Sequence, residues 1–138
     1  MALALAAAIL LDWLVPAGTF GLRWLWLVGD GLVILGVGLM VAALFEFLRG
    51  KTSFIPRRVP TAFLQGGIYR LTRNPIYLGD VLVLAGVIVH LDAPVALILV
   101  PIFAVFIARR FIRGEEKALV ETFGIPARDW MDRTGRWL

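Results

Sequence analysis

The chain has 138 residues, of which 60% are hydrophobic and only 17% are charged. Typical soluble domains have about 45–50% apolar residues, so a water-soluble fold of this size could not cover so much apolar surface. We therefore expect one all-α domain, residues 1–138, embedded in a membrane. The absence of cysteine excludes disulfides, iron–sulfur clusters and thiolate chemistry, and a single histidine, His90, argues against a metal site.

The formal net charge is +4, and the basic residues are unevenly distributed. Six of the 14 lie in residues 49–73, seven lie in residues 109–136, and Arg23 is the exception. Both segments flank apolar runs, where cations face anionic lipid headgroups. The pattern predicts a lipid bilayer as the partner and argues against nucleic acid, because no basic stripe lies on a soluble face.

Four apolar stretches are predicted to be membrane helices: residues 2–15, 25–48, 76–91 and 94–112. A bilayer core of about 30 Å needs about 20 helical residues, so the first and third stretches are short and should thin the bilayer locally. Four spans bring both basic segments to one side, which the positive-inside rule makes cytoplasmic together with both termini. The first stretch could instead be a cleaved or merely interfacial segment.

The linker between the second and third stretches is expected to be a folded cytoplasmic or interfacial loop, because its prolines and glycines oppose a long helix. A short helix is predicted at residues 61–65. Within the second stretch, Gly36 and Gly38 are small residues that let helices approach closely, and Gly38 pairs with Ala42 at small-xxx-small spacing. We attribute these glycines to internal packing rather than dimerisation.

The start of the third stretch is the most informative segment. Asn74 is a favourable helix cap and Pro75 is favoured at the first helical position, so a helix is predicted to begin at Pro75. Its positive dipole end, together with Arg73, could hold a carboxylate. Tyr69 and Tyr77 add hydroxyls and aromatic faces. The alternative is an ordinary interfacial helix start with tyrosines in the aromatic belt.

A second polar segment follows the fourth stretch. Glu115 and Glu116 point about 100° apart on a helix, so one of them could face the helix bundle. A carboxylate there would accept hydrogen bonds from hydroxyl or amino groups and attract a cation. The alternative is a solvated helix end, in which the carboxylates pair weakly with nearby basic residues such as Arg113 or Lys117.

Together these segments resemble the superfamily of isoprenylcysteine carboxyl methyltransferases and phospholipid methyltransferases. The resemblance covers residues 35–138. The motifs that carry it, in order, are Gly67-Ile68-Tyr69, Arg73-Asn74-Pro75-Ile76-Tyr77-Leu78-Gly79, Glu115-Glu116, Phe123-Gly124 and Arg136-Trp137-Leu138.

The resemblance implies an integral membrane methyltransferase of about four transmembrane helices that uses S-adenosylmethionine. Its acceptor would be lipophilic or membrane-associated, and its activity most like that of the isoprenylcysteine carboxyl methyltransferases. A cytoplasmic loop and a C-terminal helical tail would form the cofactor pocket. Carried over by position, one wall of that pocket would consist of Gly67, Tyr69, Arg73, Asn74, Pro75, Tyr77 and Gly79, and the other of Glu115 and Glu116. No catalytic residue is assigned.

The chain departs from the family pattern at several positions. Asn74 stands where many members have histidine, so imidazole chemistry is unavailable there. Ala127 and Trp130 replace two tyrosines of the family's tail, and the shorter N-terminus implies a smaller acceptor than a prenylated protein. Alternatives within the same fold are methyl transfer to a phospholipid amine or a small thiol. A non-catalytic lipid-binding or assembly protein is the alternative from a different class, and the sequence does not indicate an oligomeric state.

Overall fold

The computed structural model describes residues 1–14, 19–22, 24–50 and 63–138, and this part of the chain contains helices and no strand. Six α-helices follow one another, which we label α1 (Ala2–Leu14), α2 (Leu25–Arg49), α3 (Pro75–His90), α4 (Leu99–Ile107), α5 (Arg113–Phe123) and α6 (Ile125–Arg133). Short 3-10 helices at Gly67–Arg70 and Pro94–Ile98 and a π-helical turn at Ala108–Ile112 complete the set. The all-α prediction is confirmed for the described residues.

Among the described residues, two helices are long and apolar enough to cross a membrane. One is α2, with 25 residues and a mean hydropathy of 2.4 in its most apolar window. The other is the continuous helical run Pro94–Phe123, with 30 residues and a value of 2.3. Few residues of either window are buried within the protein, as expected for surfaces that face lipid. Helices α1 and α3 are apolar but shorter than the about 20 residues that a bilayer core requires, so four spans stay a prediction.

The predicted helix boundaries agree closely with the structure at one important place, since α3 begins at Pro75. The short helix predicted at residues 61–65 is not observed in its described part. Residues 61 and 62 lie outside the described residues, and residues 63–65 are not helical. The helical turn lies just beyond, at Gly67–Arg70, where Gly67 adopts a φ of +53°.

The described residues divide into two compact units. The first comprises Met1–Gly38 and Gly79–Val105, and the second comprises Leu39–Leu78 and Phe106–Leu138. The core of the first unit is a cluster of small and aliphatic side chains: Ala8, Leu84, Ile88, Ala93 and Ala96. The core of the second unit is built on Ala43, Tyr69 and Trp130. The prediction of a single domain stays a prediction.

Within the first unit, α2 and α3 approach backbone to backbone at glycines. A Cβ on Gly36 would stand 2.7 Å from the carbonyl oxygen of Gly79, and one on Gly86 would stand 2.6 Å from that of Gly29. A Cβ on Gly38, in contrast, would meet nothing within 4 Å. The prediction of internal packing therefore applies to Gly36 and not to Gly38, because Gly36 alone of the two faces α3.

Candidate functional site

The second unit contains eight of the nine predicted site residues, and the loop before α3 organises several of them. The carbonyl oxygen of Asn74 accepts a 2.9 Å hydrogen bond from the Leu78 N–H, as expected for a helix cap position. The Asn74 N–H donates to the Thr72 hydroxyl at 3.1 Å. Thr72 is almost fully buried, and Pro75 is also fully buried at the first position of α3. The start of the helix is therefore fixed by packing as well as by local hydrogen bonds.

The C-terminal tail is bound to this loop through backbone groups. The Nδ2 of Asn74 donates a 3.0 Å hydrogen bond to the carbonyl oxygen of Arg136. The Thr72 hydroxyl donates to the same oxygen at 3.3 Å. The Arg73 N–H donates to the carbonyl oxygen of Gly135 at 3.0 Å. Three consecutive residues thus bind the tail, and the side chain of Asn74 holds the chain rather than offering a base.

Glu116 is the centre of an ion-pair network. Arg136 binds its carboxylate through two nitrogens, with Nε 3.0 Å from Oε1 and a second guanidinium nitrogen 2.6 Å from Oε2. Arg73 approaches the same carboxylate to 3.3 Å. Arg73 and Glu116 are both largely buried, whereas the side chain of Arg136 is 36% exposed. The hydrogen bond to Glu116 raises the pKa of the Arg136 guanidinium, partly offset by burial, so the group stays charged.

Glu115, the neighbour of Glu116, makes a separate contact. It accepts a 2.7 Å hydrogen bond from the Tyr77 hydroxyl. The ring of Tyr77 stacks on Phe111 with centroids 6.1 Å apart. Both adjacent glutamates therefore contact residues of the loop or of the first turn of α3, whereas helix periodicity alone indicated only that one of them could face the bundle. The π-helical turn just before α5 alters the helix phase at this point.

Tyr69 and Gly67 lie on the 3-10 helix of the second unit. Tyr69 is buried and packs edge-on against Phe47, with ring centroids 6.0 Å apart. Burial raises the pKa of the Tyr69 phenol well above its usual range, and the negative charges of Glu115 and Glu46 raise it further. A Cβ on Gly67 would collide with the carboxylate of Glu46, so glycine is required there by space as well as by φ.

Gly79 belongs to the first unit, whereas the other predicted site residues belong to the second. Its carbonyl oxygen faces Gly36 of α2, where the two helices pack closely. Its place in the cofactor pocket stays a prediction. The tail positions Ala127 and Trp130 are buried, and Trp130 packs edge-on against Phe63 with ring centroids 5.3 Å apart. These two residues therefore contribute to the core of the second unit.

Three participants were not among the predicted site residues: Glu46, Thr72 and the side chain of Arg136. Glu46 carries an identifiable signal, since a carboxylate near the end of an apolar helix is costly and often functional. Arg136 enters the sequence prediction only as part of the motif at residues 136–138. Thr72 carries no signal in a single sequence, because its role depends on the tail lying beside it.

Two guanidinium groups share the carboxylate of Glu116. One of them belongs to Arg73, two residues before the positive end of the α3 dipole. The Nε of Arg73 is buried and has no hydrogen-bond acceptor among the described residues. A buried donor of this kind normally has a partner. The arrangement fits a ligand with a carboxylate near Arg73 and a positive charge near Glu115, which is the charge pattern of S-adenosylmethionine.

A separate cleft of about 360 Å³ lies in the first unit, and Trp26, His90 and Asp92 are among the residues that line it. It contains none of the predicted site residues. Nearby, Nδ1 of His90 lies 2.7 Å from Oδ1 of Asp30, and the Phe20 N–H donates to Asp92 at 2.7 Å. These polar groups have partners within the first unit, as expected for residues that stabilise the ends of apolar helices.

Comparison with known proteins gives one family. The model of the phospholipid methyltransferase family matches residues 24–125, which is well over half of the chain. Searches of curated proteins and of solved structures give no significant match. The matched range includes the loop, α3 and both glutamates, and it ends before Trp130 and Arg136 of the tail. On this match the chain belongs to the phospholipid methyltransferase family, within the superfamily of integral membrane methyltransferases.

Proposed function

We propose that this protein is an S-adenosylmethionine-dependent methyltransferase that acts on a lipophilic or membrane-associated acceptor. Family membership supports methyl transfer and a phospholipid-like acceptor. The observation that carries the proposal is a cluster of polar contacts in the second unit. Arg73 and Arg136 form ion pairs with Glu116, and Tyr77 donates a hydrogen bond to Glu115. These contacts join residues of three of the motifs that carry the family resemblance.

The roles we propose follow from the chemistry of these side chains. Arg73 would bind the carboxylate of the cofactor, because its buried Nε has no acceptor among the described residues and charge-assisted hydrogen bonds to carboxylates are strong. Glu115 would attract the positive charge that a sulfonium or an amine carries. Arg136 would hold Glu116 in place. Tyr69 is buried and the pKa of its phenol is raised, so it would stay uncharged and form part of the wall of the site.

The bound cofactor would supply an electrophilic methyl group on a positively charged sulfur. The protein would then need to hold donor and acceptor in line, and orientation can contribute about 7–11 kcal/mol to a barrier in favourable systems. A carboxylate or thiolate acceptor needs no general base, and an amine needs only to be deprotonated. A site with asparagine in place of histidine is compatible with this chemistry. We further propose that the acceptor enters from the bilayer and the cofactor from the cytoplasmic side.

Binding of S-adenosylhomocysteine to the full chain in detergent tests the site. Calorimetry should give micromolar affinity for the wild type and no measurable binding for Arg73→Ala or Glu116→Ala. The matched controls are Arg128→Ala and Glu121→Ala, which change the same charges at exposed positions outside the site. Arg73→Lys keeps the positive charge and Glu116→Gln keeps the shape of the side chain, so both should disturb the fold less than the alanine variants do.

Two results would contradict the proposal in different ways. Binding that survives both Arg73→Ala and Glu116→Ala would reject the site assignment. A folded preparation that binds no S-adenosylhomocysteine would favour the alternative of a non-catalytic lipid-binding or assembly protein.

The acceptor is tested by a transfer assay with labelled donor. Three acceptors cover the alternatives: an ethanolamine phospholipid, a prenylated cysteine and a small thiol. Family membership favours the phospholipid amine, whereas the motif resemblance first pointed to the carboxyl group of a prenylcysteine. Labelling of the phospholipid alone would select amine methylation, and labelling of the prenylcysteine alone would select carboxyl methylation.

A further inference from the structure

The helical run Pro94–Phe123 changes abruptly from apolar to basic. Ile102, Val105 and Phe106 are apolar and half exposed, with 49–57% of each residue accessible. Immediately beyond them, three arginines fall within five residues: Arg109, Arg110 and Arg113. All three are exposed. A helix that crosses a bilayer core reaches the headgroup layer where its apolar surface ends, so we expect these arginines at headgroup depth.

The three arginines form a compact group, which we call the arginine ridge. Arg109 and Arg113 are four residues apart, a spacing that brings helical side chains onto one face. The intervening turn is π-helical, with the Arg113 N–H bonded to the carbonyl oxygen of Ala108. Such turns occur frequently at functional sites. Arg110 lies over the ring of Phe111 at 5.5 Å from its centroid, which restrains its side chain.

The arginine ridge has an excess of positive charge that the described part of the protein does not neutralise. None of the three arginines forms an ion pair with a carboxylate of the described residues. The nearest acidic side chains along the helix are already engaged, Glu115 by Tyr77 and Glu116 by two other arginines. Lys117, one turn further on, has its own partner in Glu121 at 3.7 Å.

We propose that the arginine ridge binds the phosphate group of an anionic phospholipid, whose acyl chains lie along the exposed apolar side chains that precede it. Guanidinium groups bind phosphate oxygens through paired hydrogen bonds and are weakly hydrated, so they suit this role better than lysine. The apolar surface ending at Phe106 continues directly into the ridge. A lipid satisfies both parts of this surface at once, whereas a free phosphate ion would use only the basic part. None of the three arginines is among the residues of the proposed methyl-transfer site, and the proposal does not depend on that function.

Native mass spectrometry of the full chain in detergent tests this proposal by counting bound lipids. The probes are dioleoyl phosphatidylglycerol and dioleoyl phosphatidylcholine, which share acyl chains and differ in net charge. We expect selective binding of phosphatidylglycerol. Each arginine near a membrane surface contributes about fivefold to binding of anionic lipid. The triple variant Arg109→Gln, Arg110→Gln, Arg113→Gln should therefore lose on the order of 100-fold in affinity.

The matched control is the triple variant Lys117→Gln, Arg128→Gln, Arg133→Gln, which removes the same charge from exposed positions. It should retain phosphatidylglycerol binding within about fivefold. The single variants Arg109→Gln and Arg113→Gln guard against misfolding, since each should cost about fivefold and leave the thermal unfolding midpoint without added lipid unchanged.

Three outcomes would overturn the proposal. Equal binding of both lipids by the wild type would remove the charge selectivity. Equal losses in the two triple variants would assign the effect to overall charge. Displacement of the lipid by millimolar inorganic phosphate would identify a simple anion site instead.

Discussion

The hydroxyl group of Tyr77 donates a hydrogen bond of 2.7 Å to Oε1 of Glu115, across 38 residues of sequence. Tyr77 lies in the first turn of α3 and Glu115 in the first turn of α5. The contact therefore joins two polar motifs that lie on either side of the largely apolar residues 78–107 in the sequence. Because the ring of Tyr77 also stacks on Phe111, the hydroxyl and the ring contribute separately to the stability of the fold.

Replacing Tyr77 by phenylalanine removes the hydroxyl and keeps the ring. We expect the free energy of unfolding to fall by about 1.5–3 kcal/mol, the range for a hydrogen bond to a charged group. Thermal unfolding in detergent, followed by circular dichroism, measures this loss. Tyr77→Ala should cost more, since it also removes the stacking contact. Equal losses for the two variants would show that the ring contributes nothing.

Removing the charge of Glu116 should destabilise the second unit. Glu116→Gln leaves Arg73 and Arg136 facing each other without a counter-charge, and we expect a loss of about 1.5–3 kcal/mol in the free energy of unfolding. Arg136→Gln should cost less, because that side chain is partly exposed and the Arg73 contact remains. Glu121→Gln, in an exposed pair, should stay within about 0.5 kcal/mol. A loss as large for Glu121→Gln as for Glu116→Gln would refute this ranking.

Gly67→Ala tests the turn that carries Tyr69. With φ at +53°, alanine costs about 1–2 kcal/mol in backbone strain, and its Cβ would also collide with the Glu46 carboxylate. Gly66→Ala is the matched control, because Gly66 has a φ of −94° and a Cβ there would stand 4.0 Å from the nearest atom. Adding Glu46→Ala should recover only the steric part of the loss. Thermal unfolding of the wild type, the two single glycine variants and the double variant Gly67→Ala, Glu46→Ala separates backbone strain from the steric collision.

Two glycines of α2 should respond oppositely to alanine. Gly36→Ala places a Cβ 2.7 Å from the backbone of α3 and should destabilise the first unit by about 1–3 kcal/mol, as overpacking does. Gly38→Ala meets open space and should stabilise by about 0.5–1 kcal/mol through helix propensity. Unfolding midpoints in detergent measure both. The packing assignment fails if Gly36→Ala raises the midpoint as Gly38→Ala does.

Tyr69 should make the protein sensitive to alkali. Its pKa is raised by burial and by Glu115 and Glu46, so the folded state favours the protonated phenol. The contribution of Tyr69 to the free energy of unfolding is then constant below the ordinary tyrosine pKa of about 10. It decreases as pH rises above that value, because the unfolded state loses the phenolic proton more easily than the folded state. Tyr69 and Tyr77 are the two tyrosines of the chain.

Because the chain has two tyrosines, replacing one leaves the other as the source of phenolate absorbance. In a Tyr77→Phe background, the ultraviolet absorbance of phenolate reports Tyr69 alone and should appear only well above pH 10 or together with unfolding. Tyr69→Phe should lessen the alkaline loss of stability. Titration of Tyr69 near its ordinary pKa in a folded protein would contradict its burial.

Several features of this protein are local and were predictable from the sequence. Proline at the first helical position and asparagine before it define the start of α3, because both act within one turn of backbone. The apolar runs of α2 and of residues 94–112 predict helices that suit lipid, since composition and length alone determine that preference. Membership of the phospholipid methyltransferase family likewise rests on motifs that can be read along the chain.

Tertiary structure alone decided which partners these residues find. Helix periodicity alone indicated only that one of Glu115 and Glu116 could face inward; in the fold both are engaged, by Tyr77 and by two arginines. Thr72 carried no signal in the sequence, and the contact of Gly67 with Glu46 and the close approach of Gly79 to Gly36 appear only in the fold. The physical reason is that ion pairs and close helix contacts join residues tens of positions apart, and local preferences hold no information about which distant groups meet.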